Sequence, residues 1–97
     1  MIIYVDIDNT ILTTEGVDYR NSKPISDRIE VINSLYDKGH GIVYWTARGS
    51  GSGEDWSEIT REQLKRYGAK YHTLKFGKPI YDLFIDDKNI NSEEFFK

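Results

Sequence analysis

The stretch Met1-Ile2-Ile3-Tyr4-Val5-Asp6-Ile7-Asp8-Asn9-Thr10 decides the fold. Ile2, Ile3, Val5 and Ile7 are β-branched and Tyr4 is aromatic, the composition of a buried strand, predicted over Met1–Ile7. The apolar run stops at Asp6, Asp8 and Asn9, so the chain is expected to turn there. Asn9 suits that turn because asparagine tolerates unusual backbone angles.

Working outward, Thr13 to Lys23 has no period and reads as a loop with room for a short hairpin. Pro24 and Ser26 then open a helix, with Ser26 as its candidate cap; Ile25, Ile29, Ile32, Leu35 and Tyr36 share one face, and Gly39 stops it. Gly41 to Ala47 reads as a second strand. The glycine-rich run Gly49–Gly53 reads as a flexible loop, and Glu54 to Tyr67 as a second helix ended by Gly68. Tyr71–Phe76 is predicted as a third strand, Gly77–Pro79 as a turn, Ile80–Ile85 as a fourth strand, and the stretch after Asn91 or Ser92 as a short terminal helix. Helices alternating with strands imply right-handed crossovers and a parallel sheet, an α/β class with one domain over residues 1–97.

In such sheets ligands bind at the carboxyl ends of the strands. The first strand ends at Asp6 and Asp8, the second at Thr46, and the fourth at Asp86-Asp87, with Lys78 ahead of it. Two aspartates one residue apart point to the same face of a strand. Gathering such like charges is tolerable when a cation sits between them, and an all-oxygen donor set suits a hard ion such as magnesium. Either acidic pair alone marks a strand end and no more; both pairs on one sheet edge point to a metal. A phosphate bound there needs positive and donor groups. Thr46 offers a hydroxyl and the N–H groups beyond it, and Lys78 a point charge. An aspartate can attack phosphorus, with a second carboxylate as general acid and base.

These residues in this order resemble the four motifs of the haloacid dehalogenase superfamily, over most of the chain. The resemblance implies a three-layer, Rossmann-like fold and a magnesium-dependent phosphatase. It makes Asp6 the nucleophile and Asp8 the general acid/base. Thr46 would bind the phosphoryl oxygens and Lys78 would neutralise the intermediate. Magnesium would be held by Asp6, the Asp8 carbonyl and the acidic pair, with Asp87 favoured as the inner ligand and Asp86 in the outer shell. Asn9 departs from the glycine that many members carry. A narrower resemblance, carried by Ile32–His40, Thr46-Ala47-Arg48-Gly49, Phe76–Pro79 and Ile85–Lys88, is to small phosphatase-like proteins associated with capsule or polysaccharide biosynthesis. It suggests a sugar phosphate. About fifteen residues separate Asp8 from Pro24, and the segment before Lys78 is also short, so neither gap holds a cap domain: the chain resembles the capless type. Water exclusion is then left to the Asn9–Lys23 loop, the Gly49–Gly53 loop or another subunit. The chain is short for this superfamily, so a peripheral strand is either absent or supplied by a partner, and a homo-oligomer is one expectation.

Several residues keep two readings. Arg48 is a ligand for substrate phosphate or carboxylate, beside the Ala47 backbone, or else a surface arginine. Tyr19 and Arg20 reach over the site or decorate the surface. His40 and His72 read as structural. A receiver-like phospho-acceptor domain also places acidic residues, a threonine and a lysine on one sheet edge, but with the acidic pair after its first strand, the reverse of this layout. A phosphate-binding or regulatory module without turnover is a third reading.

A net charge of −3 supplies no basic surface, which counts against nucleic acid as the partner and leaves a small phosphorylated metabolite. With no cysteine, disulfides and thiolate metal sites are excluded. The leading apolar run is too short for a signal-peptide core or a membrane span, so a cytoplasmic location is the default expectation.

Overall fold

A computed structural model describes residues 1–97. The first strand, β1 (Ile2–Val5), pairs in parallel with β4 (Gly41–Trp45), which pairs in parallel with β5 (Thr73–Lys75). This three-stranded sheet has the order β1-β4-β5. A separate two-stranded hairpin, β2 (Leu12–Thr13) with β3 (Lys23–Pro24), follows β1, so the Thr13–Lys23 loop is closed by a hairpin. Helix α1 (Ser26–Asp37) connects β1 to β4, and α2 (Ser57–Arg66) connects β4 to β5. A final turn of helix, α3 (Ser92–Phe95), is capped by Asn91, whose side chain accepts from Glu93 N–H.

The alternation of side chains along the strands builds the core. Val5 and Ile7, then Ile42 and Tyr44, join Ile29 and Ile32 of α1 and Leu64 of α2 in one cluster. Both crossovers step the same way across the sheet, and a right-handed connection then puts both helices on the same face. The arrangement is therefore two layers where the resemblance implied three. The other face is uncovered: Ile2 and Tyr4 are exposed there, Tyr4 meets Trp45 edge-on at 5.8 Å, and Lys75 lies over both rings.

The three sheet strands are shorter than read, by one or two residues at an end, and the structure departs further from the sequence reading in four places. Helix α1 begins at Ser26 with no side-chain cap; Ile25 occupies the cap position. The second helix begins three residues late, at Ser57, because Asp55 takes both the N–H and the hydroxyl of Ser57 and holds the preceding turn. The Gly49–Gly53 run is no slack connector: Gly53 N–H bonds Gly49 C=O, Gly49 has φ +82°, and a Cβ there would collide with the Glu54 carbonyl oxygen. Most consequential, the predicted strand Ile80–Ile85 does not form, and every residue from Pro79 to Asn91 is exposed. Elsewhere the reading holds. Gly39 and Gly68 end their helices with positive φ. His72 accepts from Ile42 N–H and stacks on Tyr36, and His40 bonds the terminal amine, so both histidines are structural. No helix is long and apolar enough to cross a membrane.

One core group is unsatisfied. The Tyr44 ring is fully buried and its hydroxyl has no hydrogen-bond partner. Burial pushes that phenol well above the ordinary tyrosine range. An unpaired buried hydroxyl contributes nothing to offset its desolvation. Tyr44→Phe is therefore expected to leave stability unchanged or raise it by up to about 1 kcal/mol in urea unfolding; a loss of 2 kcal/mol or more would show that the hydroxyl is paired.

Candidate functional site

The site grows from the end of β1. The Ile7 carbonyl accepts three N–H groups, from Thr10, Ile11 and Leu12, which winds the chain into a tight turn. That turn requires a left-handed residue, and Asn9 supplies it with φ +59°. The Asn9 side chain then accepts from Thr14 N–H and ties the turn to the hairpin. Asp6 and Asp8 are thereby fixed on either side of the buried Ile7.

Asp6 is the more open carboxylate, with 36 % of its side chain exposed. Lys78 Nζ lies 3.4 Å from Asp6 Oδ1, and the Thr10 hydroxyl donates to Oδ2 at 3.3 Å. Lys78 is held there by its backbone. Its N–H donates to the Thr46 carbonyl, and its own carbonyl accepts from the Ser50 hydroxyl. Thr46 directly follows β4 and its hydroxyl accepts from Arg48 N–H, leaving its proton free to be donated. The N–H groups of Asp8 and Ala47 donate to no protein acceptor. The structure thus brings Asp6, Asp8, Thr46, Ala47 and Lys78 to the carboxyl ends of β1 and β4, although Thr46 itself is only 1 % exposed.

Arg48 follows neither of its sequence readings. Its side chain is completely buried and pairs with Asp8, with Nη2 to Oδ1 at 2.8 Å and Nε to Oδ2 at 3.0 Å. Nη1 donates to the Thr60 hydroxyl and the Gln63 side-chain oxygen of α2, and Nη2 also reaches the Ser22 hydroxyl. Every donor of the fork is used, so Arg48 is not available to substrate. Its guanidinium lies over the Tyr19 ring, which in turn packs edge-on against Trp56. Tyr19 is therefore part of the wall over Arg48; burial and the nearby Asp8 charge push its phenol upward, with Arg48 opposing them. Asp8 Oδ1 accepts a further bond from Thr14, so Oδ2 is the oxygen with spare capacity.

Thr14, Ser22, Thr60 and Gln63 carry no weight in the sequence reading. The available signal was Thr60 and Gln63, one helical turn apart on a face otherwise buried. Polar side chains on the buried face of a helix need a buried partner, and no sequence rule said which.

Asp86 and Asp87 are not brought to the site. Both are exposed, and Asp87 pairs loosely with Lys88 at 3.6 Å. No three acidic or histidine side chains converge anywhere in the chain. Asp6 faces Lys78 and Asp8 is engaged by Arg48, so the residues this chain assembles by itself do not fit a divalent-metal site. The physical reason is the missing strand that was to carry the acidic pair to the sheet edge.

No protein-family model matches the chain, and no curated protein is similar to it. Among solved structures it is similar to a structural-genomics target from Vibrio cholerae, with a TM-score of 0.86 and 29 % identity, over 98 % of this chain and 86 % of that one.

Removing one partner of a buried pair strands the other charge, which costs about 3–5 kcal/mol. Arg48→Met is expected to destabilise the protein by that amount in chemical denaturation, and Arg48→Lys by nearly as much, since a point charge cannot serve Asp8, Thr60, Gln63 and Ser22 together. A change below 1 kcal/mol in both would show that the pair does not organise the fold.

Proposed function

We propose that the chain is a phosphomonoester hydrolase of the haloacid dehalogenase type, capless, acting through an aspartyl-phosphate on Asp6. The observation that carries this reading is Asp6 at the end of β1, with Lys78 Nζ 3.4 Å away and Thr46 at the end of the adjoining parallel strand. A carboxylate beside a fixed ammonium, with free N–H donors at Asp8 and Ala47, suits an incoming phosphoryl group and not a structural ion pair alone.

In this reading an Asp6 oxygen attacks phosphorus, the bond to the alcohol oxygen breaks, and the alcohol leaves with a proton from Asp8. Water then attacks the aspartyl-phosphate, Asp8 takes its proton, and inorganic phosphate and the Asp6 carboxylate are released. Lys78 offsets the charge on the phosphoryl oxygens, and Arg48 holds the Asp8 carboxyl in place, leaving Oδ2 the oxygen with the fewer hydrogen bonds. Magnesium would be the cofactor of this reading and would offset charge on the phosphoryl oxygens, with the Asp6 carboxylate and the Asp8 carbonyl as its ligands from β1; Asp86 and Asp87, the other ligands that the resemblance implies, do not reach them in this structure. The open site suits a sugar phosphate, extended or small.

The test is hydrolysis of an aryl phosphate and a sugar-phosphate panel, with and without magnesium. Asp6→Asn is expected to lose activity by at least about a thousandfold, as removal of a nucleophile does, with its circular dichroism unchanged. Full activity in that variant would overturn the reading. Asp8→Asn is a poorer probe, because it also leaves Arg48 unpaired in the interior.

A further inference from the structure

We propose that the Tyr19 hydroxyl is a specificity contact on the leaving side of the site: it donates to a hydroxyl of the departing alcohol, and so selects the phosphate ester of an uncharged sugar or polyol. The proposal rests on the phosphatase reading above.

Tyr19 lies in a short 3-10 turn, Tyr19–Asn21, inside the hairpin loop. A side chain on such a loop is ordinarily mobile. Here its backbone is anchored. The Tyr19 carbonyl accepts from Gln63 Nε2 at 2.7 Å, and Gln63 is itself buried and bound through Oε1 to Arg48. The Tyr19 ring lies over the Arg48 guanidinium, whose central carbon is 4.9 Å from the ring centre, and meets Trp56 edge-on at 5.0 Å. Trp56 is backed in turn by Arg20, 5.2 Å from its ring centre, and by Gly49, where a Cβ would stand 3.4 Å from the indole Cδ1. A side chain fixed in this way adds little ordering cost when a ligand binds.

One group of this assembly is unused. Tyr19 makes hydrogen bonds through its backbone only, so the hydroxyl of its half-buried ring has no partner in the chain. Tyr67, which touches the same hairpin, shows the contrast: its hydroxyl donates to the Ser22 carbonyl and belongs to the fold. Burial first and the Asp8 charge second push the Tyr19 phenol upward, with Arg48 opposing them, so the group meets a ligand as an O–H donor.

Its place in the site gives that donor a direction. The guanidinium under the Tyr19 ring is the one that binds Asp8, whereas Lys78 stands at Asp6. The phosphoryl group belongs at Asp6 and Lys78, so the alcohol that Asp8 protonates departs on the Tyr19 side. A bare alkyl or aryl alcohol offers the phenol no acceptor. An alcohol with a second hydroxyl near the ester oxygen does. The adjoining loop narrows the class. Glu54 and Asp55 are exposed and, with Trp56, Gly49 and Gly77, line a cavity of about 180 Å³. Carboxylates accept from hydroxyls and repel a second anion. That volume is below the roughly 300–1,000 Å³ of a full ligand pocket and suits a single sugar unit.

Tyr19→Phe removes the hydroxyl and keeps the ring over Arg48. The measurement is kcat/KM, with magnesium, for hexose 1-phosphate, hexose 6-phosphate, glycerol 1-phosphate and phenyl phosphate. The variant is expected to lose about tenfold more on the best polyhydroxylated ester than on phenyl phosphate, as loss of one hydrogen bond to a substrate hydroxyl does. Equal losses on both kinds of ester, which a merely structural role would give, overturn the proposal, as does no loss on either. A hexose 1,6-bisphosphate cleaved faster than both hexose monophosphates overturns the uncharged class. A wild type that cleaves phenyl phosphate and no polyhydroxylated ester overturns the proposal and keeps the phosphatase reading. A wild type that cleaves none of these esters overturns the phosphatase reading, and calorimetric titration then decides the contact. Hexose phosphate binding weakened about tenfold more than that of inorganic phosphate by Tyr19→Phe keeps it; an equal effect on both, or no hexose phosphate binding, overturns it.

Discussion

The buried ion pair between Arg48 and Asp8 is the constraint on which the rest of the structure depends. One guanidinium gathers the turn after β1 through Asp8, the hairpin through Ser22, α2 through Thr60 and Gln63, and the Tyr19 ring. A fully desolvated arginine is costly unless every N–H is met, and here five acceptor atoms on four residues meet them. Because Asp6 lies two residues before Asp8, the position of the candidate nucleophile is set by a network it does not join.

That network also explains the openness of the site. The polar groups around Arg48 look inward, toward the hairpin and α2, and leave Asp6 and Lys78 at the rim. Both helices pack on one face of the sheet, so nothing covers the Tyr4–Trp45 face or the far edge of β1. A single small layer of helices buries nine core residues, which suffices for a compact domain but leaves the β1 edge and the apolar Ile80–Ile85 segment unmatched.

Much of this was legible in the sequence, because strands, helices and helix stops are local phenomena. The β-branched run before Asp6, the apolar stripe Ile29-Ile32-Leu35 and the glycines after each helix read directly, as did the use of Asn9 at a left-handed turn. Asp6, Asp8 and Thr46 read as groups at strand ends and Lys78 as a turn residue on the same edge, and parallel pairing of β1 with β4 is what brings the strand ends together. The reading failed where local pattern is ambiguous. Ile80–Ile85 has the composition of a strand, but composition does not supply the neighbour a strand must pair with, and in the structure this segment pairs with none and stays exposed.

The sequence by itself determined the α/β class, the parallel crossovers and the residues that face one end of the sheet, since period, composition and turn chemistry encode these within a few residues. Only the tertiary structure decided that Arg48 is an interior clamp and not a ligand, that Lys78 and not the acidic pair meets Asp6, and that the layers number two. Those outcomes hang on which distant groups reach one another, through desolvation and chain reach, and neither quantity is written in a local stretch of residues.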